Sequence, residues 1–104
     1  MYTIKKEYQP ETKEKTLIIT NLNADVRDPP YFYADEKTEA VINTLKDLKT
    51  VTIAFVMKNF RIGYARASNL IDVLELLEIV MMTNNRKNIE VNTNKLKEVL
   101  ESIR

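Results

Sequence analysis

Residues 53–82 read IAFVMKNFRIGYARASNLIDVLELLEIVMM, and the turn near the middle decides the fold. Ile53, Val56, Met57 and Phe60 recur at i, i+3, i+4 and i+7, which gathers apolar side chains on one face of an α-helix. Ala67, Leu70, Ile71 and Leu74 repeat the pattern. The spacing predicts one helix beginning after Thr50 or Thr52, either of which can cap it, and another from about Tyr64 to Leu77. Between them stands Arg61-Ile62-Gly63, which holds the only glycine in 104 residues. A sharp turn between two helices commonly needs one residue at positive φ, and glycine adopts it without a Cβ clash. Gly63 is expected to fill that position, as in a helix-turn-helix. The competing reading is a plain helix C-cap in a small bundle, and the flanking elements decide between them.

Upstream, Asp35 is a good N-cap, and Val41, Ile42, Leu45 and Leu48 make the apolar face of a first helix. Downstream, Ile79 to Met82 is a short apolar run, Thr83 to Asn88 is polar and Asn-rich, and Ile89 to Asn92 alternates. Residues 79–92 therefore read as a hairpin, with Met81 and Met82 as one edge and one core residue. Leu96, Val99, Leu100 and Ile103 give a C-terminal amphipathic helix capped near Thr93. At the other end, residues 2–8 and 15–20 are rich in β-branched and aromatic residues and read as a hairpin with a loose loop at Pro10. Residues 21–34 read as a connector, with Tyr31, Phe32 and Tyr33 pinning it to the core. Helix, helix, turn, helix and hairpin in that order make an α+β fold, a winged helix-turn-helix. It carries an extra N-terminal hairpin and connector (1–27) on the main domain (28–104).

The composition removes most chemistry. One glycine cannot build a P-loop, a dinucleotide fingerprint or a G-x-S-x-G elbow. Without histidine or cysteine there is no Ser-His-Asp triad, no cysteine nucleophile and no ordinary zinc site. The expectation is a non-enzyme with no catalytic residue, cofactor or metal site. The N-terminus has no apolar signal core, and no apolar run is long enough to span a bilayer, so a cytoplasmic location is expected.

A formal net charge of +1 hides an uneven distribution. No acid lies between Asp47 and Asp72, where Lys49, Lys58, Arg61 and Arg66 stand. None lies between Glu78 and Glu90, where Arg86 and Lys87 stand. Basic residues thus fall on the elements that dock in this fold, with Asp72, Glu75 and Glu78 between them as a solvated acidic face.

The stretch Phe60-Arg61-Ile62-Gly63-Tyr64-Ala65-Arg66-Ala67, continuing through Leu70-Ile71-Asp72 and Leu74-Glu75 to Ile79-Val80, resembles the gamma domain of the FtsK/SpoIIIE DNA translocases. Asp28-Pro29-Pro30-Tyr31 resembles the D-P-L-Y that often opens that domain. The resemblance covers roughly residues 28–82. It implies a winged helix that reads short directional sequences in duplex DNA and contacts a recombinase, here free-standing and without the motor. The third helix ends in Leu76-Leu77-Glu78, where the family typically has charged, charged, glycine. Val73 and Leu76 thus add apolar residues to its outer face.

Lys58 and Arg61, at the turn, are expected to meet phosphates. Tyr64, Arg66, Ser68 and Asn69 begin the helix that enters the major groove, where arginine pairs with guanine and asparagine with adenine. Tyr64 serves equally well as a packing residue. In the wing, Asn84, Asn85 and Asn88 tolerate the left-handed turn and have the reach of groove contacts, beside Arg86 and Lys87. The function expected is sequence-specific recognition of double-stranded DNA by a homodimer. The homodimer rests on three spare apolar elements: the N-terminal hairpin, the C-terminal helix and the Val73/Leu76 surface. The resemblance points to plasmid DNA transfer or segregation as an origin-of-transfer accessory factor, with a relaxase, recombinase or translocase as partner. A transcriptional repressor and a protein-interaction adaptor are the alternatives.

Overall fold

The computed structural model describes residues 2–22, 31–82 and 89–103. Strands β1 (Tyr2–Gln9) and β2 (Glu14–Asn21) pair antiparallel along their whole length, Tyr2 opposite Asn21 and Gln9 opposite Glu14. The turn between them is tight rather than loose. Lys13 adopts φ 59°, and its amide donates to the Gln9 carbonyl at 2.8 Å, which closes the chain in four residues. A third strand, β3 (Tyr31–Tyr33), pairs with β2, Ile19 opposite Phe32.

Alternation then divides this sheet. Ile4, Leu17, Ile19 and Phe32 face the core, while Lys5, Ile18, Tyr31 and Tyr33 take the other face. Only Phe32 of the aromatic triplet pins the chain to the core; Tyr31 and Tyr33 are 50% and 58% exposed.

Helix α1 (Thr38–Leu45) begins two residues later than an Asp35 cap predicts, with Lys37 at the cap position. Asp35 closes a turn ahead of the helix: its carboxylate accepts from the Lys37 amide at 2.9 Å and its carbonyl from the Thr38 amide at 2.9 Å. A two-residue strand, β4 (Thr50–Val51), follows, and then α2 (Ile53–Phe60), capped by Thr52 Oγ1, which accepts from the Phe55 amide at 3.0 Å. Helix α3 (Tyr64–Leu76) leads into β5 (Val80–Met82), which pairs antiparallel with β6 (Ile89–Val91), Met81 opposite Glu90. β4 joins the other edge of β6, giving the order β4-β6-β5. Helix α4 (Thr93–Ile103) closes the chain and is capped one residue earlier than expected, Asn92 Oδ1 accepting from the Lys95 amide at 3.2 Å. Helices α1, α2 and α3 with the small antiparallel sheet β4-β6-β5 make a winged helix, as the element order implies, and α4 packs on the same buried cluster.

The N-terminal sheet is built into the same core. Ile4, Leu17 and Ile19 join one apolar cluster with Val41, Ile42, Val56, Ala67, Ile71, Leu74, Leu96 and Val99. Lys6 Nζ donates to both carboxylate oxygens of Glu39, at 2.6 and 2.7 Å, which ties β1 to α1. Ser102 on α4 donates to the Ile4 carbonyl at 3.2 Å and so covers part of the β1 edge. The apolar face of α4 and the inner face of the hairpin are therefore spent within the chain. Val73 also packs on the core, so of the α3 apolar pair only Leu76 stays exposed, at 41%.

The glycine does not take the left-handed position. Gly63 has φ −75° and ψ 171°, extended backbone that any residue adopts, and a Cβ placed there meets nothing within 4 Å. Arg61 takes it instead, at φ 52° and ψ 50°. The reason is where α2 ends. A Schellman cap puts the left-handed residue immediately after the helix and bonds the next amide to the carbonyl five residues back. Here the Ile62 amide donates to the Met57 carbonyl at 3.1 Å.

Helix α3 ends the same way: Glu78 sits at φ 63°, and the Ile79 amide donates to the Leu74 carbonyl at 2.9 Å. Left-handed backbone costs a non-glycine residue about 1–2 kcal/mol. Glu78→Gly should therefore raise the thermal midpoint, by a net gain of up to about 1 kcal/mol after glycine's entropy. Gly63→Ser should leave it within a few tenths of a kcal/mol, because serine is a better helix N-cap than glycine and nothing clashes. Paired melting curves check both.

Candidate nucleic-acid interface

Lys58 lies on the last turn of α2 and Arg61 directly after it; both side chains are exposed. The cap geometry fixes Arg61: its amide and that of Ile62 both bond back to the Met57 carbonyl, so its backbone is held at the mouth of the turn. Three residues on, α3 starts at Tyr64, which is 59% exposed and so leans outward rather than packing. Gly63 is the N-cap of α3 but has no side chain to cap it, and the first turn holds no acid. Lys58, Arg61 and the start of α3 therefore share one electropositive front. Lys49, just ahead of β4, is exposed as well.

Along α3 the residues opposite the buried stripe are Ala65, Asn69, Asp72 and Leu76, all exposed and spaced at i, i+4, i+7 and i+11. Of the polar residues expected to read bases, only Asn69 stands on this outermost line. Ser68 is half-buried on one flank.

Arg66 lies on the other flank and, contrary to its expected role, already has a partner. Its Nε donates to Asp35 Oδ2 at 2.7 Å, and its Nη2 donates to Asp35 Oδ1 at 2.8 Å and to Glu36 Oε1 at 3.4 Å. This bidentate bond holds the Asp35 carboxyl below its ordinary value and raises the guanidinium further above its own. With its folded value depressed, Asp35 adds stability at neutral pH that is lost as the pH falls through that lowered value. Nothing in the spacing of two residues 31 apart announces this pair.

The wing strand β5 stands beside α3, with β6 paired to it, and Met81 is exposed on β5 while Met82 packs on the core. The wing-tip residues Asn84, Asn85, Arg86, Lys87 and Asn88, and the Asp28-Pro29-Pro30 segment, lie outside the described residues. Among the described residues, no helix is long and apolar enough to cross a membrane.

A small winged helix with a basic turn and an exposed third helix defines a class, the DNA-docking helix-turn-helix domains. Within that class, residues 33–94 match the family model of the Ftsk gamma domain, more than half of the chain, and the chain belongs to that family of non-catalytic DNA-binding domains. It is 30% identical over 74 residues, or 71% of its length, to the DNA translocase FtsK of Bacillus cereus and to that of Bacillus anthracis. To the DNA translocase FtsK of Sporosarcina ureae it is 29% identical over 51 residues, 49% of the chain. It spans 9% of the length of the two Bacillus relatives and 6% of the third.

Proposed function

We propose that this chain is a non-enzymatic, sequence-specific binder of double-stranded DNA. The observation that carries the reading is the juxtaposition of exposed Lys58 and Arg61 with the uncapped, acid-free start of α3, in a chain of the gamma-domain family. Lys58 and Arg61 meet phosphates and set the register of the docked domain. Asn69 is the base reader on the outermost line of α3, and Tyr64 adds a contact at the helix start. Because Ala65, Asp72 and Leu76 offer that helix little else, the wing carries a larger share of recognition through Asn84, Asn85, Arg86, Lys87 and Asn88.

The cellular role that fits is plasmid DNA transfer or segregation in the cytoplasm, as a mark on an origin of transfer, with a relaxase, recombinase or translocase acting beside it. Homodimerisation belongs to the same reading, and its remaining footing is the exposed outer face of the N-terminal sheet together with Leu76. A monomer in sedimentation at working concentrations rejects it.

Selection of bound sites from a random duplex pool tests the role. A short site repeated in one direction supports the origin-marking function. A palindrome supports a repressor instead. No enrichment over the starting pool rejects sequence specificity and leaves the adaptor reading, since gamma domains also contact a recombinase.

A further inference from the structure

Arg66 is the one basic residue of α3, and it stands in the half of the helix that approaches DNA in this fold. An arginine there is ordinarily the best guanine reader a helix can offer, through two parallel N–H donors. Here two of its nitrogens are spent on Asp35, and Nη2 is shared with Glu36. Glu36 is largely exposed, its side chain 83% accessible, and its carboxylate beside Nη2 adds a second negative charge that repels a base oxygen or phosphate brought to this guanidinium.

The anchor for this arrangement is firm. Asp35 is fixed by the turn that precedes α1, where its Oδ1 also accepts from the Lys37 amide. Arg66 lies about 100° around the helix from Ala65 on the outermost line, on the α1 side. For Arg66 to engage DNA, one charge-assisted bidentate contact must be exchanged for another, and two carboxylates must be left facing the DNA.

We propose that Asp35, assisted by Glu36, is a specificity-determining residue that withholds Arg66 from the bases. Helix α3 therefore docks without a guanine reader, and preference shifts to Asn69 and the wing. This rests on the duplex-binding function proposed above.

The test is a set of full-length variants titrated against the same random-sequence duplex pool, with sites then selected from it. Asp35→Asn combined with Glu36→Gln is expected to raise affinity for guanine-bearing sites about tenfold and to bring guanine into the selected sites. The same two substitutions made together with Arg66→Ala are expected to give no gain. A gain that survives the loss of Arg66 is general relief of repulsion and overturns the proposal, as does unchanged affinity in the Asp35→Asn, Glu36→Gln variant.

Thermal unfolding of each variant verifies folding. Should the pair of substitutions unfold the chain, Glu36→Gln alone, which leaves the turn intact, is read in the same way with a smaller gain. Wild-type protein and Lys58→Ala run alongside. If the wild type does not bind duplex, or Lys58→Ala binds as well as the wild type, it is the proposed function that fails. If both behave as expected, a negative result falls on Asp35 alone.

Discussion

Replacing Lys58, Arg61, Arg86 and Lys87 together with alanine should abolish measurable duplex binding at physiological salt while leaving the fold intact. A hydrogen bond to a charged group is worth about 1.5–3 kcal/mol, so each lost phosphate contact costs roughly tenfold or more. Each neutralised phosphate also contributes about 0.9 to the slope of log affinity against log salt. The Arg86→Ala, Lys87→Ala pair should therefore flatten the slope by about two, and the quadruple variant by nearly four.

Stability should barely move, because Lys58 and Arg61 are exposed and no ion pair to either appears among the described residues. Arg61 carries a left-handed backbone in any case, which alanine shares and glycine would relieve. Arg61→Gly should thus melt higher and bind DNA more weakly, which separates the two roles of that position. Fluorescence anisotropy over a salt series, with melting curves beside it, reads all of this.

The second large effect is on folding. Ile19 is fully buried at the centre of the inner sheet face, paired with Ile4 on one side and Phe32 on the other. Ile19→Ala removes buried methyl and methylene groups and leaves a cavity, at a cost of about 2–5 kcal/mol. Against the 5–15 kcal/mol typical of a whole domain, that is a large share. A chain of this size should lose about ten degrees or more from its thermal midpoint.

The loss should be felt throughout the molecule. Ile19 shares its cluster with residues of α1, α2, α3 and α4, and the Lys6–Glu39 ion pair and the Ser102 bond cross the same junction. Calorimetry should show one transition, shifted as a unit. Two transitions, with the winged-helix part melting where the wild type does, would mean that the sheet is only appended. Tyr33→Ala, on the outer face of the same sheet, should cost much less, since Tyr33 is largely exposed.

The helices were legible because their period is local. Val56, Ala67, Leu70, Ile71, Leu74, Leu96, Val99, Leu100 and Ile103 recur at helical spacing, and all are buried as that spacing requires. The two wing strands followed from alternation and a polar interval. Strands β3 and β4 did not, being three and two residues long. Strands that short have no period of their own; partners far along the chain make them strands, Ile19 for Phe32 and Glu90 for Thr50.

The turn was legible in place but not in mechanism. Gly63 marks the corner, yet the left-handed residue must sit where α2 stops, so Arg61 takes that conformation. A hint existed at the other end of α3, where Glu78 occupies the family's typical glycine position and adopts the glycine-like φ of 63°. In the site, Lys58 and Arg61 stand where a basic turn should put them. Arg66 does not, because its partner lies 31 residues upstream and only the folded chain brings them together.

A near-neutral chain that presents a basic docking front should bind duplex DNA through its phosphates. The most direct measurement is the equilibrium affinity of the intact chain for duplex DNA as salt is raised. Submicromolar binding at low salt, falling log-linearly with a slope near the number of phosphates met by Lys58, Arg61, Arg86 and Lys87, is the predicted result. Affinity no tighter than tens of micromolar at low salt, or binding indifferent to salt, would contradict it.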